Sequence, residues 1–98
     1  MNISIKKDLA SNWFKLLQDA ICDDILNIEK NKLSFKSTYW KRSSKKDEGG
    51  GEYRILRNGK VFEKVGVNYS KVYGKFPKQF KKNIPGASNE PRFWASGI

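Results

Sequence analysis

Residues Glu48 to Phe76 read EGGGEYRILRNGKVFEKVGVNYSKVYGKF, and the fold turns on how this stretch is divided. Three consecutive glycines, Gly49, Gly50 and Gly51, carry a high backbone entropy, so a chain keeps them where side chains would obstruct something. From Glu52 to Arg57 the pattern is strand-like, with Tyr53 and Ile55 on one face. Asn58-Gly59 is the pair best suited to a type I′ turn, whose two central residues both need positive φ. Lys60 to Tyr73 then resumes, with Val61, Val65, Val67 and Tyr69 on one face. Two strands joined by a two-residue Asn-Gly link predict a β-hairpin. The glycine run is followed by Glu52 and a strand rather than a helix, so it lacks the helix N-terminus that holds phosphate in a glycine-rich loop. Taken alone, it reads as a flexible loop.

Outward from the hairpin, the chain alternates between clear and sparse signals. Leu9, Trp13, Leu16, Leu17, Ala20, Ile21, Ile25 and Ile28 recur at three- and four-residue steps, which predicts an amphipathic helix over Lys6–Glu29. Leu33, Phe35, Ser37 and Tyr39 alternate with Ser34, Lys36, Thr38 and Trp40, a strand pattern. The polar run KRSSKKDE, residues 41–48, reads as a loop. After Gly74, Lys78 to Ile84 reads as a short helix begun by Pro77, Pro85-Gly86 suits a turn, and Phe93 to Ile98 is apolar. The expected class is α+β: one amphipathic helix and antiparallel strands that include the Asn-Gly hairpin.

At 98 residues the chain holds one small domain, near the lower limit for burying an adequate core. No apolar run reaches the roughly 20 residues that cross a bilayer, and the N-terminus lacks a signal-peptide pattern. Cys22 is the single cysteine, so no disulfide framework is expected and a cytoplasmic location is. The net charge of +10 invites a nucleic-acid reading, supported by the aromatics Tyr53, Phe62, Tyr69 and Tyr73 among lysines. Its counterpart is an ordinary solvated lysine surface. The cations concentrate in Lys30–Lys46 and Lys71–Lys82, which hold no acid, whereas Asp8–Glu29 is acidic.

The inventory for chemistry is short. With no histidine and one cysteine, the triads, dyads and metal cages built on those residues are not available, so no catalytic or metal-ligating residue is expected. Cys22, at the edge of the helix stripe, reads as a small buried hydrophobe, and Asp23 and Asp24 as a solvated face. These features alone describe a small basic α+β unit that binds something anionic.

A more specific reading comes from the order of several motifs. Trp40, a charged segment, Gly49–Gly51, the strand EYRILRNGK and Val61-Phe62-Glu63-Lys64-Val65-Gly66-Val67-Asn68 together resemble the oxygen-dependent coproporphyrinogen III oxidases. The downstream GKF, IPGA and PRFWASGI also resemble the alphaproteobacterial members. The resemblance implies an N-terminal portion of a single oxidase domain, residues 1–98, in a helix-covered antiparallel sheet. Members are roughly three times longer, and the family's substrate-contact and catalytic residues follow the ASGI segment. The implied reaction converts coproporphyrinogen III to protoporphyrinogen IX by O2-dependent oxidative decarboxylation, without a cofactor. The implied partners are that tetracarboxylate and a second copy of the chain, with no nucleic acid and no membrane span. Trp40, Glu48, Gly49, Gly50, Gly51 and Glu52 would lie in a dimer-contact segment. Val61, Val65 and Val67 would pack under helices in a three-layer arrangement that buries both sheet faces, which would also account for apolar Phe62. Arg54 and Lys64 are candidates for meeting substrate carboxylates, with a structural or solvated role as the alternative. A stand-alone nucleic-acid-binding module is the competing reading.

Overall fold

Asn2 starts the first helix: its side-chain oxygen accepts the backbone N–H of Ile5 at 2.9 Å, as a helix N-cap does. The computed structural model describes residues 2–98, and in it α1 spans Ile3–Glu29, beginning three residues before the periodicity predicted. The helix stops at Lys30, whose left-handed backbone (φ 55°) returns its N–H to the Leu26 carbonyl.

Four strands follow among the described residues: β1 (Lys36–Lys41), β2 (Gly49–Arg57), β3 (Lys64–Lys75) and β4 (Arg92–Gly97), with a single-turn helix α2 (Lys78–Lys81) before β4. They form one antiparallel sheet in the order β1-β2-β3-β4, each strand beside its neighbour in sequence. In register, Glu52 faces Tyr39 on one side and Tyr69 on the other, and Tyr73 faces Trp94. Alternation therefore puts Tyr39, Glu52, Arg54, Leu56, Val65, Val67, Tyr69 and Trp94 on one face. α1 lies over β3 and β4 on that side. Trp40, Tyr53, Asn68 and Phe93 point to the opposite face, and no helix of the described residues covers it. The observed class is α+β in two layers; the second helical layer implied by the family resemblance is not formed by these residues. A radius of gyration of 17.1 Å, against about 13 Å for a compact domain of this length, records how much sheet is left open.

Three expectations are corrected. The hairpin does not turn on Asn58-Gly59. β2 ends at Arg57 and β3 begins at Lys64, and the ladder continues through Asn58 N–H to Glu63 O and Gly59 N–H to Phe62 O, both 2.9 Å. The chain thus reverses two residues later, at Lys60-Val61. Asn58 does adopt positive φ, 62°. Val61 sits at this tip, 58% exposed rather than packed under a helix, and Phe62 belongs to the connection, so its apolarity needs no third layer. The glycine run is also no loop: Gly49–Gly51 open β2, Lys41 closes β1, and residues 42–48 are the connection between them.

The third correction concerns α1. Its buried residues are Ser11, Gln18, Cys22 and Glu29, while Leu9, Trp13, Leu16 and Ile28 are more than half exposed. Period and element type were legible, and Leu17, Ile21 and Ile25 of the stripe are half-buried, but the helix is rotated so that the sheet meets one flank of the stripe and not its centre. The physical reason lies underneath: the covered sheet face presents Glu52, Arg54 and the Tyr69 hydroxyl, buried or half-buried groups that need polar partners. The core is accordingly small, with Cys22, Leu56, Val67 and Tyr69 buried alongside those polar residues. Cys22, 4% exposed, is the buried small residue expected.

Candidate functional site

The glycine run is the middle rail of three strands. Gly51 pairs with Trp40 on β1 and Ser70 on β3, and Gly50 with Lys41 and Lys71. A Cβ at Gly49 would overlap the Lys71 carbonyl, at Gly50 the Trp40 carbonyl, and at Gly51 the Tyr69 carbonyl and the Trp40 indole. The backbones that approach these glycines are those of β1 and β3 in the same chain. Gly49 adds a positive φ, 83°, which glycine alone adopts freely.

The Arg42–Glu48 connection is folded back rather than loose. Arg42 pairs with Glu48 at 3.0 Å, donates to the Tyr73 carbonyl at 3.0 Å, and stands 4.9 Å over the Phe93 ring. The Tyr73 hydroxyl donates to Asp47. That bond holds the Asp47 carboxyl below its ordinary range and raises the Tyr73 phenol. Between this connection, the strand floor and α1 lies a cavity of about 580 Å³ whose lining includes Lys15, Lys41, Lys45, Lys46 and Lys71. The two carboxylates at its margin are engaged, Asp47 by Tyr73 and Glu52 by Arg54. The cavity is therefore electropositive and suited to an anion.

Arg54 is the hub beneath α1. It binds Glu52 at 2.8 Å and Asp19 at 2.7 Å. The pairing lowers the Glu52 carboxyl and raises the guanidinium. Burial, opposed by a hydrogen bond from Arg54, raises the Cys22 thiol. Gln18, fully buried, donates to the carbonyls of Glu52 (2.9 Å) and Val67 (3.0 Å), and Ser11 meets the Tyr69 hydroxyl. At the far end of α1, the Glu29 carboxylate accepts three successive backbone N–H groups, from Lys60, Val61 and Phe62, the last two at 3.0 Å. These donors push its pKa down, that of Val61 most.

The sequence candidates separate accordingly. Trp40, Glu48, Gly49, Gly50, Gly51 and Glu52 come together across β1 and β2. Arg54 and Lys64 do not meet: strand alternation puts Arg54 on the α1 side and exposed Lys64 on the other. Sequence reasoning missed Gln18, Asp19 and Glu29. The spacing of Ser11, Gln18, Cys22 and Glu29 at steps of seven, four and seven puts Gln18 and Glu29 on one face of the helix, but neither it nor anything near Asp19 names the partners that face meets. Among the described residues no three of Cys, Asp and Glu converge as metal ligands would, and no helix is long and apolar enough to cross a membrane.

Comparison with known proteins agrees with the motif order. Residues 10–98 match the coproporphyrinogen III oxidase family. The chain is 41% identical to the oxygen-dependent coproporphyrinogen-III oxidase of Rickettsia felis, covering 94% of this chain and 34% of the relative. Identity to the enzyme of that name from Rickettsia bellii is 40%, over 94% of this chain and 34% of the relative. For Rickettsia africae it is 39%, over 100% and 36%. The chain thus spans about a third of the length of these relatives, and nothing in the match supports a stand-alone nucleic-acid-binding module. On the match over residues 10–98 and the identities near 40%, the chain belongs to the coproporphyrinogen III oxidase family.

Proposed function

We propose that this chain forms part of an enzyme that oxidatively decarboxylates coproporphyrinogen III with O2, and that 98 residues alone do not turn over. In the reaction each of two propionates, R–CH2–CH2–COO⁻, loses CO2 and two electrons to become R–CH=CH2. O2 takes up those electrons and two protons, one from the substrate and one from the medium, as H2O2. The porphyrinogen is itself electron-rich, so the protein need supply only orientation and charge stabilisation, with no resident cofactor. The observation that carries the proposal is the family match along nearly the whole chain. The lysine-lined cavity and the net charge of +10 are the electrostatics that four substrate carboxylates favour.

Within that reading, exposed Lys64 is free to meet a substrate carboxylate, while Arg54, committed to Glu52 and Asp19, acts as a positioning residue. The Trp40–Glu52 segment is proposed as a dimer contact. Its glycines are occupied by β1 and β3, so the contact would run through the free edge of β1, where Tyr39 is 77% exposed. The proposed location is the cytoplasm.

The test is a chimera in which residues 1–98 replace the matching third of the Rickettsia felis relative, expressed in a strain lacking coproporphyrinogen oxidase. The chimera is expected to restore haem synthesis, and the 98-residue chain alone is not. A folded chimera that forms no protoporphyrinogen IX, or activity from the 98 residues alone, overturns the proposal.

A further inference from the structure

On a helix with 100° per residue, Ile5, Leu9, Trp13, Leu16 and Ala20 fall within about 80° of one another, centred opposite Gln18. Gln18 is the residue of α1 most deeply buried against the sheet. The four large side chains of this strip are 47%, 56%, 60% and 62% exposed in sequence order. Ile3, Ala10, Leu17 and Ile28 extend apolar surface around one flank of the helix. Ile3 and Ala10 then join Phe93 and Trp94 in lining a groove of about 1020 Å³ between α1 and β4. The outer strip of α1 and this groove adjoin, with Lys6, Lys7, Lys75, Glu90 and Arg92 also lining the groove. Strip and flank together span about 160° of the helix, broken by Lys6 and, toward the C-terminal end, by Asp23, Asp24 and Asn27; that apolar arc is additional to the face α1 already packs on the sheet, as on a helix of a protein interior. Exposed apolar patches of this kind mark contact surfaces.

We propose that this surface seats polypeptide from the two-thirds of the oxidase that the relatives possess and this chain does not span, so that α1 is an interior helix between the sheet and that further layer. The inference rests on the reading that the chain is part of a longer oxidase. Two features favour that occupant over a second copy of the chain. The relatives carry about twice as much additional polypeptide as the part matched here. The apolar surface also wraps from the outer strip into the α1–β4 groove, whereas an antiparallel pairing of two α1 helices would cover the strip alone.

The chimera provides the test, through an accessibility readout rather than activity. Leu16→Cys is introduced into the chimera and into the 98-residue chain, with Lys32→Cys, exposed and outside the proposed dimer segment and cavity, as a control, and maleimide labelling rates are measured over a hundredfold dilution. At Leu16→Cys, labelling in the chimera is expected to be at least tenfold slower than at the control, independent of concentration, and fast in the 98-residue chain. Labelling as fast as the control in a folded chimera overturns the proposal. Protection that disappears on dilution, or that the 98-residue chain shows equally, assigns the surface to a second copy and also overturns it. Since a polar cysteine could loosen the site, Leu9→Lys and Phe80→Lys are compared by thermal unfolding of the chimera. A loss in Leu9→Lys well beyond that in Phe80→Lys is expected, and equal small losses count against it. A protected but inactive chimera would sink the proposed function and leave this inference standing; an active chimera with rapid labelling would do the reverse.

Discussion

The two ends of the β2–β3 hairpin are held by different means. At the tip, one buried carboxylate, Glu29, arrives from the end of α1 and takes three consecutive backbone N–H groups of the reversing chain. At the other end, the strands close up because Gly49, Gly50 and Gly51 have no side chains, and the Arg42–Glu48 connection is tied over them by exposed pairs. The tip depends on one added group and the base on three missing ones. Removing a buried acceptor strands its donors, and adding an atom against a carbonyl forces backbones apart. Exposed pairs contribute little to either end.

Mutations should rank from a backbone overlap, through a lost buried acceptor, to an exposed pair. Gly50→Ala is expected to be the most damaging, destabilising the 98-residue chain by about 2–4 kcal/mol in urea titration, because its Cβ would overlap the Trp40 carbonyl. A near-silent Gly50→Ala would mean the strands can separate there at little cost. Next comes Glu29→Gln, expected to lower the melting temperature by roughly 5–10 °C and to flatten the acid limb of stability. The Glu29 pKa is depressed by its three donors, so in acid the unfolded chain binds the more protons. Its contribution is therefore full above the ordinary carboxylate range and is lost as pH falls through and below that range. An unchanged acid limb in Glu29→Gln would assign the tip's stability to the ladder instead. Tyr73→Phe, which removes the exposed bond to Asp47, should cost about 1–2 °C and return the Asp47 pKa toward its ordinary value by NMR titration. Gly97→Ala should be the mildest, within about 0.5 kcal/mol of the parent, since a Cβ there meets nothing within 4 Å.

The same contrast explains what could be read from the residues. Strand alternation in β2 and β3 and the helical period of α1 are local properties, and both elements formed as the spacing indicated. The Asn58-Gly59 pair pointed to a local turn. The turn settled two residues on, at Lys60-Val61, whose backbone donors are claimed by a carboxylate some thirty residues away. The orientation of α1 was likewise a matter for partners distant in sequence. Nothing near Gln18 or Asp19 announces that Glu52, Val67 and Arg54 will lie beneath them. The motif order around Gly49–Gly51 was legible because it is written in consecutive residues, whereas the lysine cavity draws on α1, β1, β2, β3 and the 42–48 connection together.

α1 also works as a measuring rod. Gln18 clasps Val67 and Glu29 clasps Phe62, eleven residues apart on the helix and five apart on the strand side. Eleven helical residues rise about 16.5 Å, and five residues from Phe62 to Val67, which run from the connection into β3, reach at most about 16.5 Å, so the strand side has to stay extended for both clasps to engage. Inserting one residue anywhere between positions 18 and 29 would advance the far clasp by about 1.5 Å and swing it through about 100°, too far to engage. The number of residues in that stretch of helix is thereby bound to the number in the strand it lies along, and a change in one calls for a matching change in the other.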